Sequence, residues 1–322
     1  MSEIYDSVFR TLINDCKQRL PFVLNEVFGE NYDGTETVTF HPNEHFISRY
    51  DEPDDKRITD TNFTVAGKIT KEYHLECESS KYSSQMLVRI FEYDAQIALD
   101  HSRVEKNCIK VRFPNTAVLY LRSSRRTPDS MKVVIETPGG TFSYDVPVMK
   151  MSDYSADDIF RKKLYILLPF YIFNFEKKFK KYSKNKDELK QLTDEYEKIS
   201  LRLQQLTQSG EITSFEKHTI SKLSGDVADQ IADGFEQVQK GVHDTMCGPI
   251  IVTEAREILE DGIEIGFSRG EAKGRNEGRA EGENKLGALI DSLINAGRND
   301  EIQKVTSDAE YRQKLYEEFG IK

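Results

Sequence analysis

The chain has 322 residues, 38% hydrophobic and 31% charged, which is enough apolar material for a real core and excludes both a single small stapled module and a membrane-embedded protein. Its 45 basic and 55 acidic side chains give a formal charge of −10, so coating nucleic acid by charge alone is excluded and any such contact has to be local. At ~150 residues per domain, about two structural units are expected.

The spacing of Val8, Leu12, Ile13, Cys16, Leu20, Val23, Leu24 and Phe28 predicts one helix over residues 1 to about 30, stopped by Gly29. A strand-rich stretch follows. Thr37 to Phe40 alternates, and Lys56 to Val65 and Ile69 to Ser79 read as two strands around Ala66-Gly67-Lys68. Ser83 to His101 reads as a helix with an apolar face of Leu87, Ile90, Phe91, Ala95 and Ala98 and a polar face of Gln85, Arg89, Glu92 and Gln96. Thr116 to Arg122 has the composition of a buried strand, and Met131 to Glu136 pairs with Thr141 to Val146 across Pro138-Gly139-Gly140. The order helix, strands, helix, strands gives an α+β class, a mixed sheet flanked by helices, followed by an all-α region. The apolar run Leu164 to Phe175 contains Pro169, is shorter than the ~20 residues of a spanning helix, and reads as core.

Beyond about residue 176 the strand signal ends. Leu189, Leu192, Tyr196, Ile199, Leu203 and Leu206 form a coiled-coil-like seam, and after Ser209-Gly210 a second stripe runs Ile220, Leu223, Val227, Ile231, Phe235 and Val238. Two such helices are expected to lie antiparallel and to pack on the first domain or on a second chain. From Gly262 a glycine recurs every fourth residue to Gly282 amid charges, either a marginal helix needing a close partner or a solvated linker. A small helical unit with Leu286, Leu289, Ile290, Leu293, Ile294, Tyr311, Leu315 and Phe319 ends the chain. The expected division is therefore 1–175, 176–260 and 261–322. Met1 to Asp6 has no secretory pattern and the last residues match no lipidation signal, so the expected location is cytoplasmic, with no membrane partner. The four cysteines (Cys16, Cys77, Cys108, Cys247) form no CxxC pair and read as reduced thiols, mostly buried.

The chemistry concentrates in Tyr73-His74-Leu75-Glu76-Cys77-Glu78. Period-two geometry sends Tyr73, Leu75 and Cys77 to one face and His74, Glu76 and Glu78 to the other, with the two glutamates ~7 Å apart. A hairpin centred near Gly67 or Lys68 puts the partner of Asp60 at about His74 to Glu76, so that Asp60, Glu76 and Glu78 converge. Three oxygen ligands suit Mg²⁺ or Mn²⁺, the ions that assist phosphodiester hydrolysis. Carboxylates on the solvated face of a hairpin are the ordinary alternative. No GxxxxGK[ST], HExxH or GxSxG motif is present.

Asp60, the run Lys71 to Glu78 and the helix carrying Arg89-Ile90-Phe91-Glu92-Tyr93, together with the charged glycine repeat Gly270 to Gly282, resemble the PD-(D/E)XK nuclease superfamily, and within it the bacterial recombination-promoting nuclease and transposase group. The resemblance covers about residues 1 to 175, with the tail in support. It implies a restriction-endonuclease-like core, metal-dependent cleavage of DNA, and Asp60 and Glu76 as metal ligands. Glu78 stands where the superfamily usually has lysine, and it would serve as a third ligand or general base, or else mark lost or altered activity. The missing positive charge would come from Lys81 or Arg89. Glu26 falls where some members carry another acid, but it reads first as a solvated helix position. His74 shares the carboxylate face and reads as a partner for Glu76.

Arg122, Arg125 and Arg126, with Lys162 and Lys163, are candidate DNA-backbone contacts, as is the basic run Lys177 to Lys186, which serves equally to solubilise a helix start. The expected function is thus a Mg²⁺- or Mn²⁺-dependent DNA endonuclease that self-associates through its C-terminal helices. Two other readings stay open: an inactive module of the same fold binding nucleic acid or protein, and a helical assembly factor with the first domain as scaffold.

Overall fold

The computed structural model describes residues 3–41, 44–47, 55–58, 61–248, 285–290, 292–298, 301, 304–305 and 309–321. Helix α1 spans Glu3–Asp15 and α2 Leu20–Phe28, with a 3₁₀ turn at Lys17–Arg19 between them. The single helix expected here is broken because Pro21, in the first turn of α2, has no N–H to continue the ladder. Gly29, at φ 66°, ends α2 in the left-handed conformation that glycine adopts freely.

The strands are β1 (Thr37–Phe40), β2 (Glu44–Ile47), β3 (Asp55–Ile58), β4 (Thr61–Ala66), β5 (Lys71–Glu78), β6 (Arg103–Glu105), β7 (Cys108–Lys110), β8 (Asn115–Tyr120), β9 (Ser130–Thr137) and β10 (Gly140–Lys150), with helix α3 (Gln85–Asp100) between β5 and β6. Six of them form a mixed sheet in the order β1-β4-β5-β8-β10-β9, and β2-β3 and β6-β7 are separate two-stranded ribbons. β4 and β5 pair antiparallel with Thr61 opposite Leu75 and Val65 opposite Lys71, so the hairpin centres on Lys68. β8 runs parallel to both β5 and β10, and β9 closes the edge antiparallel with Met131 opposite Val146. A parallel β5–β8 pair needs a crossover, which α3 provides. The protein is mixed α+β: this sheet is flanked by helices and followed by a helical region.

Each sheet face has its own core. Tyr73, Leu75, Cys77, Ala117 and Leu119 meet α1, α2 and the 3₁₀ segment Tyr165–Lys178, whose residues Tyr165 to Phe173 are all buried. On the opposite face, Val118, Tyr120, Val133 and Val146 pack on Met86 and Ile90 of α3. The buried face of α3 is Met86, Ile90, Tyr93, Asp94, Ile97 and Ala98, rotated from the expected one and leaving Phe91 exposed.

After α4 (Ala156–Arg161) and α5 (Phe179–Tyr182) come α6 (Lys186–Gln208), α7 (Ser214–Ile231) and α8 (Glu236–Met246). The second stripe is divided between α7 and α8 because the chain turns at Gly234, φ 79°. Leu192, Tyr196, Ile199 and Leu203 of α6 are buried in the same cluster as the sheet's first face, so one continuous core crosses residue 175 and the seam is spent within the chain. Glu216, which completes the capping box of α7 with Thr213, is 4% exposed and pairs with Arg19 Nε at 2.8 Å, tying α7 to the turn after α1.

The chain divides into two compact units, Met1–Glu254 and Ala255–Lys322. In the second, Leu289, Leu293, Val305 and Leu315 make a small core, and Arg298 pairs with Glu301 and with Glu318 at the end of the helix Ala309–Glu318. The glycine repeat between Gly262 and Gly282 lies outside the described residues. Among those described, no helix is long and apolar enough to cross a membrane, and the four cysteines form no disulfide.

Leu203 has no exposed surface, and its truncation to alanine is expected to cost about 2–5 kcal/mol. Because α6 shares the sheet's core, thermal unfolding of Leu203→Ala followed by near- and far-ultraviolet circular dichroism is expected to show the whole first unit melting earlier in one step. Loss of helix signal ahead of the tertiary signal would contradict the shared core.

Candidate functional site

The even-numbered residues of β5 point toward α3, and the last of them are acidic. His74 is fully buried, with Nδ1 at 2.8 Å from Asp94 Oδ1 and Nε2 at 2.9 Å from Glu76 Oε1. Asp94 also accepts hydrogen bonds from Thr116 Oγ1 at 2.6 Å and Tyr144 Oη at 2.9 Å. Glu76, 3% exposed, receives Arg89 Nη2 at 3.3 Å on its other oxygen, and the same nitrogen reaches Glu78 Oε2 at 3.1 Å. The Ser80 backbone N–H donates to Glu78 Oε1 at 2.8 Å. Asp94, His74, Glu76, Arg89 and Glu78 therefore form one unbroken chain of alternating charge, from the core to the surface.

That chain ends in an open cleft of about 440 Å³ lined by Glu78, Lys81, Arg89, Glu92 and Tyr120, among others. The Tyr120 hydroxyl is buried and has no hydrogen-bond partner among the described residues. Burial, with Glu78 nearby, pushes its titration upward, so at neutral pH it is a phenol with an unfilled hydrogen bond.

Burial alone would lower the pKa of His74, but its hydrogen bonds to Asp94 and Glu76, together with their charges, outweigh this and raise it from 6.5 to about 9. The imidazole is a buried cation at neutral pH. Asp6 of α1 feels the same cluster. Burial raises its carboxyl, Glu76 and Glu78 raise it further, Arg10 and Arg89 oppose them, and the outcome is about 6.

The structure thus brings together Glu76, Glu78 and Arg89, with the exposed Lys81 on the rim of the same cleft. Asp60 lies outside the described residues. Arg122 is committed elsewhere: its guanidinium holds Glu176 at 2.8 Å and the Ser79 carbonyl at 2.7 Å, and it lies over the Phe173 ring. Arg125 and Arg126 are exposed in the loop between β8 and β9. Lys162 and Lys163 are paired with Glu26 and Glu211 at 2.6 and 2.9 Å. Glu26, bonded also to Tyr154 Oη, belongs to that separate contact and not to the β5 cluster.

Sequence reasoning missed Asp94 and Asp6. An acid inside the apolar stripe of an amphipathic helix is the available signal for Asp94. For Asp6 it is only the (i, i+4) spacing from Arg10. No protein-family model, no curated protein and no solved structure matches the chain.

A group whose folded-state pKa is raised stabilises the fold fully below its unfolded value and loses that contribution as pH climbs through the folded one. For His74 the window runs from 6.5 to about 9. Denaturant melts of the wild type are therefore expected to weaken across that window, by an amount on the order of 3 kcal/mol at most. Asp94→Asn is expected to lose about 3–5 kcal/mol at pH 7 and to flatten the slope. A wild type equally stable at both ends of the window would contradict a protonated His74.

Proposed function

We propose that the chain is a metal-dependent nuclease acting on DNA, with its site at the end of β5. The supporting observation is the surplus of carboxylate in one place. Glu76 and Glu78 share the single Arg89 nitrogen at a solvent-open cleft, and their combined charge helps raise Asp6 to about 6. An all-oxygen donor set carrying excess negative charge, beside an unfilled Tyr120 hydroxyl, suits a hard divalent cation such as Mg²⁺ or Mn²⁺. Glu76 and Glu78 would hold it, with Asp60 as a further ligand. A bound ion of this kind polarises a phosphoryl oxygen and lowers the pKa of a water.

The rest is done by side chains of the protein. Imidazolium His74, anchored by Asp94, holds Glu76 in one rotamer, so that one carboxylate oxygen stays turned toward Arg89. Arg89 carries the fork that matches two phosphate oxygens, and Lys81 on the rim is a second cation in the place of the lysine usual to the superfamily. Glu78, more exposed than Glu76, would in the alternative leave the ion to Asp60 and Glu76 and accept a proton from an attacking water. In this reading the mixed sheet with α1 and α3 on its two faces is a restriction-endonuclease-like core, and Arg125 and Arg126 touch the DNA backbone.

The second reading, an inactive module of the same fold that binds nucleic acid or protein, is favoured by one specific contact. Arg89 already pairs with both glutamates without any ion. Purified protein with supercoiled plasmid and Mg²⁺ or Mn²⁺ separates the two. Nicking is expected, reduced at least ~10²-fold in Glu76→Gln and in Asp60→Asn. Nicking that survives both substitutions undiminished would remove the β5 site from the chemistry, and absence of nicking with no metal-induced rise in melting temperature would favour the inert module.

A further inference from the structure

The opposite end of β5 carries a different cluster. His41 follows β1, Glu72 lies near the start of β5, and His101 caps the C-terminus of α3. One ligand atom from each lies within 4.8 Å of the other two, the one such grouping of three histidine, cysteine or acidic side chains among the described residues. Three separate elements converge here, each fixed by the backbone. The His41 N–H donates to the Asn62 carbonyl at 2.9 Å, Glu72 is paired with Thr64 in the β4–β5 ladder, and the His101 N–H closes the last turn of α3 on Ile97.

Two features set this grouping apart from a surface ion pair. His41 Nε2 is buried and has no hydrogen-bond partner among the described residues, although its ring sits 4.9 Å from that of His101. Glu72 Oε1 pairs with His101 Nδ1 at 2.7 Å, so a carboxylate and a second imidazole already lie together beside that unpartnered nitrogen. A buried imidazole nitrogen left without a partner costs stability unless a further body engages it.

We infer that His41, Glu72 and His101 bind a divalent transition-metal ion of the Zn²⁺ type. Two imidazoles and one carboxylate form a donor set suited to such an ion and poorly matched to Mg²⁺, which prefers oxygen alone. Donors at ~2.0–2.1 Å from a shared ion in tetrahedral array stand ~3.4 Å apart, so ligand atoms that all lie within 4.8 Å of one another close on one ion with side-chain movements on the order of an ångström. Three protein ligands leave a coordination position open. It faces a pocket of about 660 Å³ whose wall includes Arg103, Arg112 and Phe113. Glu72 and Glu76 lie on one face of β5, ~13 Å apart, so the ion is separate from the one proposed for the nuclease site.

Titration of the full-length protein with Co²⁺, read by its visible ligand-field absorption, tests the assignment, with Zn²⁺ added afterwards to displace it. The expected result is one saturable Co²⁺ with tetrahedral or five-coordinate intensity, bleached by Zn²⁺ and weakened at least about tenfold in His41→Ala and in His101→Ala. His101 is an exposed helix cap, so its substitution spares the core, and circular dichroism verifies folding of each variant. The double variant Glu76→Gln/Glu78→Gln is expected to keep the spectrum, which separates this ion from one at the other end of the strand. No Co²⁺ spectrum, or one that persists in folded His101→Ala, overturns the inference.

Discussion

A protonated imidazole that no water reaches, gripped from both sides by carboxylates, organises the centre of this molecule. Leaving such a charge unpaired in the interior is far more costly than any single apolar contact is favourable, so His74 can exist there only if Asp94 and Glu76 stay in place. Asp94 in turn is satisfied by Thr116 from β8 and Tyr144 from β10. One buried acid thereby fixes the rotation of α3 over three neighbouring strands. Arg89, more than a turn earlier on the same helix, is then delivered to the glutamates at the end of β5. The candidate site follows from a core constraint, and its most exposed members, Glu78 and Arg89, are the least constrained.

Much of this was readable from residue pattern alone, for identifiable reasons. Period two is unambiguous in Tyr73 to Glu78, so the division of that strand into an apolar and an acidic face could be read directly. The β9–β10 hairpin announces itself through Pro138-Gly139-Gly140, and its register follows from the length of the turn. Helix phase was harder. In α3 the true buried stripe contains Asp94, and an apolar count that treats an acid as surface rotates the predicted face until Phe91 points inward, when in fact it is exposed. Pro21 and Gly234 each cut a periodic stripe that reads as continuous, because periodicity registers side chains and not the hydrogen bonds that a proline or a left-handed turn removes. Asp6 belongs to the site only through tertiary approach of α1, which no local pattern encodes.

The two ends of β5 present contrasting chemistry on one face. Near its start, Glu72 sits with two imidazoles beside a pocket containing arginines. At its end, Glu76 and Glu78 sit with a guanidinium beside a pocket containing acids. Nitrogen-rich and oxygen-rich donor sets select different cations, so one strand can carry both without competition. The helices after residue 176 spend their apolar stripes on the first core instead of offering them outward, which makes them a brace for the sheet's other face.

The central claim is that the Glu76–Glu78 pair coordinates a divalent cation, and the position of the ion itself decides it. Crystals of the protein grown with Mn²⁺, with diffraction collected near the manganese edge, are expected to give an anomalous peak within coordination distance of both carboxylates, with Arg89 swung away from at least one of them. An anomalous map without a peak there, and with Arg89 still bridging the two glutamates, would contradict the account.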